Sequence, residues 1–308
     1  MGFMPAASTI LMIRPAAFGY NAETAVNNFF QKQTGNKNEV HQKALAEFDA
    51  MVKTLLAKEI EVMVIEDTAE PIKPSAIFPN NWLSTSPDGK IFVYPMYAPS
   101  RRHEKRDDIL QLLATKFFVT DVQDWTELEA EGRFLEGTGS MLFDHTNKLI
   151  YAAISERTNP AALEKFVTAN DYSAVVFLAT DQKGNPVYHT NVVMALGEKF
   201  CVLCAEAIEE EWELIAVKQL LESTGHEIIP ITREQMNCFA GNMLEVKNKT
   251  GKSYLILSIA ALNSLSEEQK EKLNAYAGLL PVGIPTIEAT EGGSVRCMMA
   301  EVFLPHTV

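Results

Sequence analysis

Several features are scarce in this sequence, and each scarcity excludes a class of protein. The 308 residues contain only four cysteines, and because these lack the spacing of a disulfide framework we expect reduced thiols in a cytoplasm. No apolar run reaches the roughly 20 residues that a membrane-spanning helix needs, so no membrane partner is expected. Positive charge is scarce too: 27 basic residues stand against 40 acidic ones, and a net charge of −13 disfavours nucleic acid.

Two local segments are interpreted as parts of the core. The apolar start from Met1 to Ile13 lacks a basic region and a small-residue cleavage site, so it predicts a first strand and no secretion signal. Cys201 and Cys204 form a CxxC pair inside an apolar stretch typical of a buried strand, where residues three apart point to opposite faces. They are predicted to be core cysteines, not metal ligands.

The chain is predicted to fold as one α/β catalytic domain over residues 1–308. No linker rich in proline, glycine or serine interrupts it, and 47% of its residues are hydrophobic, which is typical of a soluble protein with a sizeable core. Amphipathic patterns predict six helices. They span Ala22 to Gln33, Gln42 to Lys58, Arg106 to Thr115, Pro160 to Ala169, Glu209 to Ser223 and Ser266 to Ala277.

Apolar runs separated by turn residues predict a series of hairpins, each followed by a mostly helical connection. The paired runs are FPNNWLST with IFVYPMY, SMLFD with LIYAAIS, NVVMAL with FCVLCA, and NMLEV with SYLILS; a last strand, CMMAEVFL, ends the chain. A polar or reactive residue stands near the start of each first strand, at intervals of 55, 53, 53 and 55 residues: Asn81, Glu136, His189, Asn242 and Cys297. Such a period predicts a repeated unit, and cyclic stacking would bring these residues to one end of a central channel.

Three of these residues have the chemistry of a thiol hydrolase. Cys297 follows a flexible Gly292-Gly293 pair and has Arg296 beside it; a guanidinium facing the same way would favour the nucleophilic thiolate. His189 can pass a proton to a leaving amine and then activate water. Glu136 can accept two hydrogen bonds from a planar guanidino or ureido group.

Arginines are expected at the same end of the channel. The hairpin that starts at Glu136 returns toward Arg157, and the one that starts at Asn81 returns toward Arg101 and Arg102. These three arginines can clamp a substrate carboxylate by bidentate hydrogen bonds, although arginines on protein surfaces are usually only solvated.

These segments resemble the guanidine-modifying superfamily of arginine deiminases, dimethylarginine dimethylaminohydrolases and amidinotransferases. EGGSVRCMM is similar to the nucleophile segment of the deiminases and EGTGSMLF to their glutamate motif, while APSRRHE and SERTN resemble carboxylate-binding arginine segments. MIRPAAFGYN, IFPNNW and CFAGNMLEV resemble a bacterial branch named for citrulline utilisation. The resemblance implies a five-bladed, pseudo-fivefold αβ propeller, the pentein fold, with Cys297 as nucleophile, His189 as acid and base, and Glu136 as a substrate ligand that can also orient the histidine.

The sequence departs from the deiminase pattern at three positions. Asn81 and Asn191 stand where the deiminases have aspartates that pair with a guanidinium, and Gly139 replaces an aspartate of the glutamate motif. A neutral ureido group has donors and an acceptor, which an amide can match from both of its ends. We therefore expect a ureido substrate, citrulline, hydrolysed to ornithine, ammonia and carbon dioxide without a metal or organic cofactor.

Other assignments fit the same residues. Hydrolysis of arginine or of a methylarginine uses the same chemistry on a guanidino group, and an amidinotransferase hands the group to another amine. A non-enzymatic protein that only holds an amino acid in the channel belongs to a different class. A homo-oligomer is compatible with the sequence.

Overall fold

The computed structural model describes residues 6–33 and 35–307, which form five small sheets of three strands each. The strands are β1 (Thr9–Arg14), β2 (Glu61–Glu66), β3 (Leu83–Thr85), β4 (Lys90–Val93), β5 (Asp121–Asp124), β6 (Leu142–Asp144), β7 (Leu149–Ala153), β8 (Ser173–Phe177), β9 (Met194–Leu196), β10 (Phe200–Leu203), β11 (Glu227–Pro230), β12 (Leu244–Lys247), β13 (Ser253–Ser258), β14 (Gly278–Val282) and β15 (Ala300–Val302).

Helices lie between the strands. The α-helices are α1 (Lys37–Leu56), α2 (Asp107–Lys116), α3 (Gly137–Ser140), α4 (Pro160–Asn170), α5 (Thr190–Val193), α6 (Glu211–Ser223), α7 (Arg233–Asn237), α8 (Ile259–Ser264), α9 (Glu267–Tyr276) and α10 (Pro285–Glu291). Short 3₁₀ helices span Pro79–Asn81, Pro99–Glu104, Thr126–Glu131, Ala205–Ala207 and Val295–Met298.

All five sheets repeat one topology. Two strands pair as an antiparallel hairpin, and the chain then returns through a helix to add a third strand parallel to the middle one, as in β3-β4-β5. A parallel third strand needs such a long crossover, and the helix supplies it. In the fifth sheet β15 pairs antiparallel with β1, and β1 pairs parallel with β2, so strands from the two ends of the chain complete one unit.

The predicted fivefold pattern is confirmed, but each unit has one strand more than expected. The third strands lie at the outer edge of the sheets, and β5, for example, is largely exposed and lacks the apolar run that marks a strand in a sequence. β2 and β8 do contain apolar runs, EVMVIE and SAVVF, which the hairpin pattern did not include. The CxxC cysteines lie at the other extreme, since Cys201 and Cys204 are both completely buried in a hydrophobic core cluster.

Five of the six predicted helices are present with shifted ends, and one prediction was wrong. The segment from Ala22 to Gln33 forms turns without an α-helix. Isolated backbone bonds of helical spacing form from Ala25 to Asn21 and from Asn28 to Thr24, but the side chains of Asn21 and Asn28 also accept from the amides of Glu23 and Phe30 and favour turns. The first strand begins at Thr9, and Met1–Pro5 lies outside the described residues.

Each crossover helix buries an apolar face against the sheets. On α1 the buried positions are Val40, Ala44, Phe48, Met51 and Leu55, and Asn36 caps the helix by accepting from the amide of Asn38. The spacing of three and four residues places these side chains on one stripe. In the part of the chain that the structure describes, no helix is both long and apolar enough to cross a membrane.

We expect Phe48→Ala to destabilise the fold by about 3–5 kcal/mol, because Phe48 is completely buried between α1 and the adjoining sheets. Urea unfolding followed by circular dichroism measures this. Phe118→Ala is the matched control, since the Phe118 side chain is 57% exposed and its loss should change stability by less than about 0.5 kcal/mol. Equal losses in the two variants would contradict the placement of α1.

Candidate functional site

The predicted site residues do not begin the inner strands but stand just before them, in short helical turns. Asn81 ends a 3₁₀ helix before β3, Glu136 and His189 are the caps that precede α3 and α5, and Cys297 lies in the 3₁₀ helix before β15. Asn242 occupies the loop before β12. These turns contact one another around the centre of the molecule, so the predicted convergence of repeat positions is observed.

Two glycines permit this close approach. A side chain at Gly137, where φ is +47°, would collide with the carbonyl oxygens of Asn80 and Asn81. At Gly139 a side chain would overlap the Nδ2 atom of Asn81 and the ring of His189. The departure at Gly139 thus has a steric cause: the space for an aspartate is filled by the asparagine amide and the imidazole.

Glu136 is completely buried and forms a hydrogen bond to His189. Its Oε2 atom lies 2.8 Å from His189 Nε2 and 3.6 Å from an Nη atom of Arg157, and its Oε1 accepts from the backbone amide of Tyr97. Because both oxygens are engaged, Glu136 lies behind the histidine and has no free edge for a ligand.

Burial and neighbouring charges determine the protonation states of Glu136 and His189. Burial would raise the pKa of Glu136, but Arg157, His189 and Arg101 outweigh it and lower that pKa to about 2. Burial lowers the pKa of His189 to about 4, although Glu136 opposes this. At neutral pH the carboxylate is therefore ionised and the imidazole neutral, with its Nε2 hydrogen donated to Glu136 and its Nδ1 left as the basic nitrogen.

The Cys297 thiol is 3% exposed and lies among amide groups. Asn242 Nδ2 lies 3.4 Å and Asn191 Nδ2 3.7 Å from the sulfur. The amide of Asn242 is oriented by its neighbours, because its Oδ1 accepts from the backbone N–H of Arg296 and its Nδ2 donates to the carbonyl of Asn191. Two N–H donors are thus available to a thiolate.

Arg296 lowers the pKa of the Cys297 thiol, as the sequence suggested, but burial outweighs this effect. Burial raises the pKa of Cys297, and the hydrogen bond from Asn242 and the charge of Arg296 only oppose that rise. The guanidinium of Arg296 bonds to the carbonyl of Met299 and to the carboxylate of Glu301, so its charge is already paired. The resting cysteine is therefore a neutral thiol.

Cys297 and His189 line one small cavity together with Asn81, Arg101 and Arg157. The cavity measures about 20 Å³, which is space for roughly one water molecule. Glu136 and Asn191 do not line it but contact the residues that do. Of the eight residues predicted for the site, the structure brings seven into this one cluster.

Arg101 is fixed on one side of the cavity by a dense set of contacts. It is 3% exposed, forms a two-pronged ion pair with Glu104, and donates from Nη1 to Asn81 Oδ1 at 2.8 Å. Arg102, its neighbour in sequence, points elsewhere and donates to the carbonyls of Met96 and Tyr97. Successive residues of a 3₁₀ helix face different directions, and only Arg101 faces the cavity.

Arg157 lies across the cavity, with its guanidinium 4.9 Å from the centre of the Tyr188 ring. It donates to the carbonyl of Thr24 and to Oδ1 of Asn27. Both acceptors belong to the turn segment that the sequence had predicted as a helix. That segment therefore covers the cavity, which the sequence pattern did not indicate.

Sequence reasoning missed two further residues of the cluster. Asn242 was recognised only as a repeat position, and its contact with the sulfur follows from that position. Glu291 lines the cavity and is 3% exposed, yet in the sequence it is one of many acidic residues and carries no local signal.

A larger cavity of about 430 Å³ lies at the opposite ends of the inner strands and is lined by residues such as Asp144, Glu245 and Glu301. It contains none of the predicted site residues, so the chemistry favours the smaller cavity. Within residues 6–33 and 35–307, no group of three or more histidine, cysteine or acidic side chains is arranged to hold a metal ion.

Comparisons with known proteins agree with this arrangement. The family model described as N,N dimethylarginine dimethylhydrolase, eukaryotic, matches residues 14–304. No curated protein sequence matches the chain.

Three solved structures illustrate the likeness in fold. The N-terminal domain of ArgZ, a cyanobacterial arginine dihydrolase bound to its substrate, superposes with a TM-score of 0.74 at 17% identity, covering 96% of this chain and 98% of that one. AgrE with ornithine and NAD+ gives 0.73 at 14% identity over 97% of this chain and 40% of that one. A dimethylarginine dimethylaminohydrolase adduct gives 0.66 at 14% identity over 96% and 100%.

The pentein fold inferred from the sequence is thereby confirmed. Since the family model spans most of the chain, this protein belongs to the N,N-dimethylarginine dimethylhydrolase family of the guanidine-modifying superfamily, and it is a hydrolase of carbon–nitrogen bonds other than peptide bonds.

Proposed function

We propose that this hydrolase acts on citrulline and cleaves the terminal carbon–nitrogen bond of the ureido group. The observation that carries the proposal is two buried amide atoms without partners: Asn81 Nδ2, on a residue that lines the cavity, and Asn191 Oδ1, on a residue that contacts the Cys297 sulfur from outside the cavity. One is a hydrogen-bond donor and the other an acceptor. A ureido group needs both, since its oxygen accepts and its NH2 donates.

The orientation of Asn81 supports this assignment. Arg101 can only donate hydrogen bonds, so the atom that faces it must be the amide oxygen. The NH2 of Asn81 therefore points away from Arg101 and lies beside Gly139 and the imidazole ring of His189. A guanidinium has no acceptor for this NH2, whereas the oxygen of a ureido group accepts from it.

Charge favours the same substrate. Arg101 and Arg157 line the cavity, and the acidic residue on its wall, Glu291, has a pKa raised to about 8, mainly by burial. A guanidinium cation would enter beside two arginines and would be paired only if Glu291 first lost its proton, and an unpaired buried charge costs several kcal/mol. The neutral ureido group avoids that cost.

The first chemical step forms a covalent intermediate. The Cys297 thiol gives its proton to Nδ1 of His189, and the sulfur adds to the ureido carbon. Amide N–H groups of Asn191 and Asn242 stabilise the thiolate as it forms. Collapse of the adduct breaks the terminal C–N bond, the imidazolium returns its proton to the leaving nitrogen, and ammonia departs from an S-carbamoyl enzyme.

The second step uses water and the same histidine. His189 removes a proton from water, the hydroxide attacks the S-carbamoyl carbon, and the C–S bond breaks as the leaving sulfur takes that proton from His189. The released carbamate decomposes to ornithine and carbon dioxide. Glu136 stabilises the imidazolium in both steps and positions its ring, so it acts through His189 and not on the substrate. Neither step requires a metal or organic cofactor.

The α-carboxylate of the amino acid is assigned to Arg157, with the charge of Arg101 nearby. In this structure Arg157 donates to Asn27 and Thr24, whose oxygens stand where carboxylate oxygens would bind. Because the cavity measures only about 20 Å³, the segment that carries these residues must move before an amino acid enters. The unpaired cysteines fit a reducing cytoplasm.

The second candidate is hydrolysis of a dimethylated or unmodified arginine. The family match favours it, as does the fold likeness to ArgZ, which is described as an arginine dihydrolase. It would use the same cysteine and histidine on a guanidino carbon.

We expect a substrate panel of citrulline, arginine and dimethylarginine to give the highest kcat/KM with citrulline, with ornithine and ammonia as products by chromatography. Cys297→Ser should lower kcat by roughly 10⁴-fold or more, while Cys238→Ser, at a partly exposed cysteine outside the cavity, should retain activity. Turnover of arginine without turnover of citrulline would refute the ureido substrate but not the nucleophile.

Asn81→Asp should shift specificity toward guanidino substrates, because it replaces the donor that meets the ureido oxygen by an acceptor. The ratio of kcat/KM for citrulline to that for arginine should fall about tenfold or more, as a mismatched buried hydrogen bond costs about 1–3 kcal/mol. The control is Asn80→Asp, since Asn80 is equally buried but donates to Thr138 and does not line the cavity. An unchanged ratio in Asn81→Asp would exclude this role for the amide.

Asn242→Ala should raise the pKa of Cys297 further, because it removes the hydrogen bond that lowers it. Alkylation of Cys297 by iodoacetamide, measured against pH in a Cys238→Ser background, should titrate above the ordinary thiol value of about 8.5 and higher still in the variant. Identical titration curves would mean that Asn242 does not stabilise the thiolate. Asn248→Ala, at a buried asparagine outside the cavity, is the control.

A further inference from the structure

Glu291 is a buried acid whose position the chemistry proposed above does not use. It is the last residue of α10, six residues before the nucleophile, and its side chain is 3% exposed on the wall of the cavity that Cys297 also lines. Among the described residues that line this cavity it is the single acidic one.

One oxygen of Glu291 is held and the other is free. Oε2 accepts from the hydroxyl of Ser75 at 2.8 Å and from the amide of Gln31 at 3.4 Å. Oε1 is buried and has no hydrogen-bond partner. A carboxyl oxygen left unpaired in a buried site costs free energy unless a ligand supplies a donor.

The backbone around Glu291 is fixed as well. Its carbonyl accepts from Asn28 and from Gln31, which belong to the segment that covers the cavity. The side chain is therefore placed between that segment, Ser75 and the two arginines, and its free oxygen does not depend on a flexible surface rotamer.

An α-amino acid brings a negative and a positive group to this end of the cavity. Arg157 and Arg101 can bind the α-carboxylate, but the mechanism proposed above assigns no residue to the α-ammonium group. We propose that Oε1 of Glu291 binds the α-ammonium group of the substrate and so restricts the enzyme to free α-amino acids. This rests on the proposed function for the identity of the amino acid, but not for its α-amino end.

Binding should then be coupled to a proton. Burial raises the pKa of Glu291 in the free protein to about 8, while the Ser75 hydrogen bond, Arg101 and Arg157 oppose the rise and Glu104 adds to it. The carboxyl group is neutral at pH 7 and ionises when the ammonium group binds, which lowers its pKa. Affinity therefore increases as pH rises toward 8 and levels off above it, as long as the α-amino group stays protonated.

The test compares citrulline with 5-ureidopentanoate, which lacks only the α-amino group. In the wild-type protein kcat/KM for the analogue should be lower by about 30-fold or more, because the analogue cannot form the charge-assisted hydrogen bond to Glu291. In Glu291→Gln the two compounds should differ by only a few-fold, because citrulline loses the interaction and the analogue does not. Glu288→Gln, at a buried glutamate of the same helix that bonds to Ser294 outside this cavity, should keep the wild-type discrimination.

Undiminished discrimination in Glu291→Gln would overturn the proposal. If citrulline is not turned over and arginine is, arginine and 5-guanidinopentanoate replace the pair, since the α-amino end is the same; a failure of the ureido assignment is then separate from a failure at Glu291.

A second measurement covers the case in which Glu291→Gln does not fold. Calorimetry on Cys297→Ser in buffers of different ionisation enthalpy should show release of close to one proton per citrulline bound at pH 7 and none for the analogue. Equal proton release for the two ligands would overturn the proposal.

Discussion

The buried carboxylate of Glu136 is the charge around which the centre of this molecule is organised. It receives the imidazole of His189, the guanidinium of Arg157 and the backbone amide of Tyr97, which come from different parts of the chain. A carboxylate without exposure is tolerated only when such partners are in place. The contacts that stabilise the buried carboxylate also orient the histidine. Packing of the central turns therefore assembles the acid-base pair.

Much of this site could be predicted from the sequence because the repeat converts positions along the chain into neighbours in space. Asn81, Glu136, His189 and Cys297 were individually unremarkable, and their common place before an inner strand brought them together. The misses have different physical causes. The third strands are edge strands that follow the crossover helices, and β5 among them has no apolar run. In the Ala22–Gln33 segment, Asn28 bonds to nearby backbone and to the carbonyl of Glu291, and Asn27 accepts from Arg157. Such long-range contacts produce no periodic pattern in the amino-acid sequence.

Adjacency in sequence was a poor guide to electrostatics. Arg296 follows the backbone into the site, but its side chain leaves to pair with Glu301, and Arg102 likewise turns away from the cavity that Arg101 faces. The groups nearest the sulfur are neutral amides from Asn191 and Asn242. The sulfur thus contacts neutral amide groups, while the guanidinium groups of Arg101 and Arg157 line the same cavity as the neutral thiol and imidazole.

The pairing of β1 with β15 has a consequence for how the active protein arises. Thr9 lies opposite Val302, so the sheet that carries the nucleophile joins the two ends of the chain. One edge of β1 therefore stays unpaired until β15, which follows Cys297 by a few residues, has been synthesised. The segment that closes the fifth sheet is also the one that carries the thiol, so closure of this sheet and completion of the reactive centre depend on the same residues.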